Sequence, residues 1–143
     1  MRRIQDEFKR ADHLLFVSLK YTKTTDVIKN VIERWKSTID LCIETLLMRA
    51  KRMKKIKEIP DAPLARTAIL LKVYKDKQIR DTIELYLFFR KMTDMEHIRR
   101  AEFRKGVAIL VINGKKETVI DIPQLYAWDK QIRGFIEFVS TKV

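Results

Sequence analysis

The residues best equipped for chemistry in this chain are Arg90 and His97. They stand in the stretch Phe89-Arg90-Lys91-Met92-Thr93-Asp94-Met95-Glu96-His97-Ile98-Arg99-Arg100-Ala101-Glu102-Phe103-Arg104-Lys105. An imidazole can give and take a proton near neutral pH, and a guanidinium can hold a phosphate through paired N–H donors. If the stretch is helical, seven residues are two turns, so Arg90 and His97 share a face, with Asp94 four beyond Arg90 on the same face. That arrangement suits general acid–base work at a phosphodiester. The plainer alternative is a surface histidine beside carboxylates, in a chain with enough arginines to make such pairs common.

A second constellation is cationic. Arg49, Lys51, Arg52, Lys54, Lys55 and Lys57 cluster where a long helical pattern runs out, and Arg2, Arg3, Lys9 and Arg10 add to the basic surface. Cations at a helix C-terminus complement its dipole by about 0.3 to 1 kcal/mol each without any ligand. The same charges can also track phosphates. Candidate nucleic-acid contacts are therefore Arg49, Lys51, Arg52, Lys54, Lys55, Arg100 and Arg104. Phe8, Trp35, Tyr86 and Phe135 fall on apolar stripes and read as core, whereas Tyr21 and Tyr126 are less committed and are available for stacking.

Other chemistry is missing from the sequence. Gly106, Gly114 and Gly134 are isolated, so there is no phosphate-binding loop or dinucleotide fingerprint. One cysteine and two histidines cannot build a structural zinc site, and neither a metal nor a cofactor is expected. The single Cys42, set among apolar residues, reads as a small core residue in a reducing compartment. No apolar run reaches the roughly 18 residues of a spanning helix, and no signal peptide is visible. The expectation is a cytoplasmic protein without a membrane partner. A net charge of +12 exceeds what solubility needs and draws anions. Asn and Gln are scarce while Lys, Arg, Glu and Ile abound, a balance seen in proteins from hot environments.

The elements that must position these residues follow from hydrophobic periodicity. Ile4, Phe8, Ala11, Leu15 and Leu19 predict one helix, and Val27 through Met53, at spacings of three, four or seven, predict a long second helix from Asp26 to Lys54. Pro60 and Pro63 mark a connector. Helical pattern resumes at Leu64 and runs to about Arg100, as one helix or as two parted near Lys75-Asp76-Lys77-Gln78. Val107 to Ile112, Asn113-Gly114 and Lys115 to Asp121 predict a hairpin with both turn residues at positive φ. Its first strand is apolar on both faces and wants cover, from the helices or from another subunit. Asp121 and Pro123 begin a last amphipathic helix. The predicted fold is a single domain over 1–143, mainly α, an antiparallel up-and-down four-helix bundle with the β-hairpin before the last helix.

This arrangement resembles the HEPN superfamily of helical domains. The resemblance rests on an opening helix with Lys9-Arg10-Ala11-Asp12-His13-Leu14-Leu15, a long second helix and a third carrying Phe88-Phe89-Arg90. It rests also on the six residues between Arg90 and His97, where the family often has four to six. Glu102-Phe103-Arg104-Lys105 is similar to a stretch in archaeal relatives of unassigned function. The chain departs from the family in Lys91, where a small polar residue is usual, and in the hairpin. The resemblance implies a homodimer in which Arg90 and His97 of two copies meet in one cleft. Such a cleft would be a metal-independent endoribonuclease of toxin–antitoxin type, or a bundle that binds RNA or nucleotide without cutting. The alternative is a non-catalytic protein-interaction module, such as the substrate-binding partner of a nucleotidyltransferase.

Overall fold

Helix α1, Arg2–His13, continues through a π-helical turn, Leu14–Ser18, into α2, Leu19–Tyr21, with Ile4, Phe8, Ala11, Leu15 and Leu19 all buried as the stripe predicts. The computed structural model, which describes residues 1–143, ends this helical run at the extended turn that Tyr21 to Asp26 signals. Thr24 is extended, its hydroxyl accepts from the Val27 N–H at 3.3 Å, and α3, Thr25–Arg52, begins there. Pro63 occupies the first turn of α4, Pro63–Val73, where its missing N–H costs nothing. Extended backbone at Tyr74 and Asp76 then separates α4 from α5, Lys77–Met92, so the polar patch interrupts the pattern and the third helix is two.

The largest correction follows Met92. Helix α5 does not run to Arg100; Glu96–Arg100 is strand β1, antiparallel to β2, Ala108–Asn113, which pairs in turn with β3, Lys116–Asp121. The expected hairpin is thus part of a three-stranded sheet in the order β1-β2-β3. The helices cover one face of β2, and side chains of β1 and β3 flank the other, which accounts for its apolar character on both. Ile109 and Val111 enter the helical core, while Leu110 lies between Ile98 and Val119 across the two ladders. Cover comes from this chain itself. The β2–β3 turn also sits one residue later than predicted: Asn113 pairs with Lys116, and Gly114, at φ 63, takes the first position of a two-residue turn where glycine is favoured.

Asp121 caps α6, Ile122–Lys142, by accepting from the Gln124 N–H at 2.9 Å. Around α3 gather α1, α4, α5, α6 and β2. Trp35, at the middle of α3, is wholly buried against Phe89 of α5, and Trp128 of α6 packs edge-on to both rings. Cys42 lies in the same core, and burial pushes its thiol up to about 12. The architecture is mainly helical with one small antiparallel sheet, and no helix is long and apolar enough to cross a membrane.

Because Ile109 is wholly enclosed within this one chain, Ile109→Ala should lower unfolding stability by about 2 to 5 kcal/mol. Denaturant titration would register this as a lower midpoint. An unchanged midpoint would mean that the strand is not core.

Candidate nucleic-acid interface

Helix α3 ends in an unusual way. The Lys55 N–H bonds to the Ala50 carbonyl at 2.9 Å and the Lys54 N–H to the Lys51 carbonyl at 3.0 Å, the pair of hydrogen bonds that closes a helix with one left-handed residue. That residue is usually glycine, because a Cβ in left-handed backbone costs about 1 to 2 kcal/mol. Here it is Lys54, at φ 60. Lys51, Arg52, Lys54 and Lys55 are all exposed on this turn, and none has an acidic partner within salt-bridge distance. Arg49 turns inward, donating to the Tyr74 hydroxyl at 3.2 Å, and that hydroxyl donates to the Leu46 carbonyl at 3.1 Å. Lys55 lies over the Tyr74 ring, 5.8 Å from its centroid. The run is therefore built into the end of the helix and is not a frayed tail.

Arg100 and Arg104 are elsewhere. Both are exposed, Arg100 at the end of β1 and Arg104 in the loop that leads to β2. That loop is fastened to the opposite end of α3: Glu102 accepts from the Thr25 hydroxyl at 2.7 Å and the Thr25 N–H at 3.1 Å, and the Phe103 N–H donates to the Lys23 carbonyl at 2.6 Å. Those hydrogen bonds hold the Glu102 carboxyl below the usual carboxylate range. Arg99 completes the attachment, reaching Asp26 at 3.3 Å and Glu102 at 3.6 Å. A helix of 28 residues spans about 42 Å. The seven candidate residues thus form two groups, Arg49 to Lys55 and Arg100 with Arg104, at the two ends of α3.

The shared helical face assumed for Arg90 and His97 does not exist. Arg90 belongs to the last turn of α5, and His97 belongs to β1, beyond the end of that helix. Arg90 sits over the ring of buried Tyr86, 5.8 Å from its centroid. The Tyr86 hydroxyl donates to Asp40, and burial together with that carboxylate pushes it up to about 12. His97 donates through Nε2–H to the Met92 carbonyl, which closes the turn between α5 and β1. The two side chains engage different partners. Neither lines the surface hollow of about 640 Å³ between α5, α6 and β3, whose rim mixes Asp81 and Glu84 with Lys116 and Lys130.

A carboxylate pair escapes any reading of the sequence alone. Asp12 of α1 and Asp129 of α6 meet beneath Arg133, whose Nη2 donates to Asp12 at 2.7 Å and to Asp129 at 3.2 Å. Asp129 is only 5% exposed, and one oxygen of each carboxyl is buried without a donor from any other residue. Burial first, and the neighbouring Asp12 second, raise Asp129 to about 7, a direction that favours one proton on the acid pair. No three His, Cys, Asp or Glu side chains converge as a metal site would require. The pair instead fastens the first helix to the last.

In the folded protein Asp129 keeps its proton up to about pH 7, whereas an unfolded aspartate releases it near pH 4. Its contribution to stability is therefore greatest below about pH 4 and is lost as pH rises towards 7. Asp129→Asn should gain in melting temperature relative to the parent protein at pH 8 compared with pH 5. Parallel shifts at both pH values would contradict the shared proton.

Comparison of the chain with protein-family models, with curated proteins and with solved structures finds no match.

Proposed function

We propose that this protein binds single-stranded RNA through its backbone phosphates, with the C-terminal turn of α3 as the principal binding surface. The observation that carries the reading is Lys54. Helix-dipole compensation accounts for Lys51 and Arg52, which lie within the last turn, but it does not account for a lysine in left-handed backbone where glycine would relieve strain. Strain kept in place at a cluster of unpaired cations is the mark of a site maintained for a ligand. The ligand that matches is anionic, because Lys51, Arg52, Lys54 and Lys55 repel one another until something neutralises them.

A polymer fits better than a mononucleotide. The two cationic groups lie at opposite ends of α3, a helix about 42 Å long. A single nucleotide can satisfy only one group, whereas a flexible strand can reach both. The likeness to HEPN domains points the same way on binding. The reading contains no cleavage step: Arg90 and His97 are occupied by Tyr86 and by the Met92 carbonyl.

Two outcomes test this. Affinity for a labelled single-stranded RNA should fall steeply with salt, and replacing Lys51, Arg52, Lys54 and Lys55 with glutamine should weaken binding and flatten the slope of log affinity against log salt by about 0.7 for each phosphate no longer neutralised. The RNA should remain intact throughout, with His97→Ala making no difference on a denaturing gel. Separately, Lys54→Gly should raise stability by about 1 kcal/mol while weakening RNA binding. Absence of binding at low salt would refute the reading.

A further inference from the structure

The exposed aromatic side chains gather at the end of α3 opposite its basic turn. Phe16, on the π-helical turn, and Tyr126, on α6, stack nearly parallel, with centroids 5.5 Å apart and an interplanar angle of 11°. They remain 46% and 48% exposed. Beside them is a hollow of about 370 Å³, floored by Leu15, Leu19 and Ile122 and rimmed by Lys20 and Lys23. No acidic side chain lines it, and neither lysine is ion-paired. Tyr21, 79% exposed, lies under the Lys20 ammonium at 6.0 Å.

Phe103 adjoins this group through its N–H bond to the Lys23 carbonyl. It is 74% exposed and stands in left-handed backbone, at φ 65, which disfavours any residue with a Cβ. Glu102, bonded twice to Thr25, holds the loop in that conformation. The fold therefore tolerates strain to present a phenyl ring to solvent next to three cations, Lys23, Arg104 and Lys105. A π-helical turn that displays Phe16 is a second local departure from regular structure at the same end.

We propose that the hollow beside Phe16 and Tyr126 is a base-binding subsite for single-stranded RNA: one base stacks on their exposed ring surface, Lys20 and Lys23 take the flanking phosphates, and Phe103 stacks a neighbouring base. The occupant follows from the alternation of flat apolar surface with unpaired cations at one place, which matches a base joined to its phosphates. Lys23 donates to the Lys20 carbonyl at 2.6 Å, yet neither lysine has a counter-ion, and an apolar peptide would cover the rings without supplying one. The subsite rests on the RNA-binding reading and adds to it recognition of the bases, which the α3 turn does not supply.

The test compares a labelled ten-nucleotide oligouridylate with an abasic oligomer of equal length and charge, by fluorescence anisotropy at several salt concentrations. The parent protein should bind the base-bearing strand at least about tenfold more tightly. Phe16→Leu with Tyr126→Leu, which keeps apolar cover over the hollow, should abolish most of that ratio and leave the salt slope unchanged. Circular dichroism checks that the fold is retained. Phe103→Ser, at a largely exposed ring, provides a second variant and should lower the ratio in part. Equal, salt-dependent binding of both oligomers, or an unchanged ratio in both variants, would overturn the subsite and leave phosphate binding standing. Failure of either oligomer to bind at low salt would overturn both.

Discussion

The burial of α3 is the constraint on which the rest of this structure depends. A helix of 28 residues that is packed upon by α1, α4, α5, α6 and β2 must be apolar along most of its length. Trp35, Ile39, Cys42, Leu46 and Leu47 meet that demand with essentially no exposed surface. Charge is thereby displaced to the ends. At the N-terminal end the first turn of the helix is fastened by Glu102 on Thr25 and by Arg99 on Asp26, while Arg100 and Arg104 stay exposed beside it. The C-terminal end carries Lys51, Arg52, Lys54 and Lys55 into solvent. The same helix that organises the core also sets the distance between the two cationic groups.

Much of the helical framework is legible in the sequence because its signals are local. Thr24 next to an apolar run, Pro63 at a helix start and Asp121 before Pro123 each act within one turn of chain, and each does in the structure what its chemistry dictates. Strand β1 is not legible in this way. Glu96-His97-Ile98-Arg99-Arg100 contains one apolar residue because it is an exposed edge strand, and its charges resemble the polar face of a helix. The available signal lies in its partner. A strand apolar on both faces, as Val107 to Ile112 is, calls for cover on both; the helices cover one, and on the other Ile98 of β1 and Val119 of β3 flank Leu110.

Strand β1 removes the helical face that the spacing of Arg90 and His97 assumed, since it depends on the helix continuing past Met92. The basic run lies at the end of α3, where the local pattern places it. Asp12 and Asp129 are invisible in the sequence because they come from the first and last helices, and no spacing rule links residues so far apart in the chain. Lys54 and Phe103 are hidden for another reason. Left-handed backbone is usually advertised by glycine or asparagine, and at these two positions the sequence carries neither. Two of the three left-handed residues other than glycine, Lys54 and Phe103, lie on the proposed RNA-binding surfaces, and the third, Ala101, is in the same loop as Phe103.

One account therefore connects the core to the surface. A buried central helix holds cations at both ends; at one end they stand on a strained helix terminus, at the other among exposed rings. The most direct measurement is photo-cross-linking of a single-stranded RNA containing 4-thiouridine, with the attached peptides identified by mass spectrometry. The account predicts adducts in two regions, the Arg49 to Lys55 turn and the surface formed by Phe16, Lys20, Lys23 and Phe103. Adducts confined to the outer faces of α4 and α5, or spread over the surface without preference for either end of α3, would contradict it.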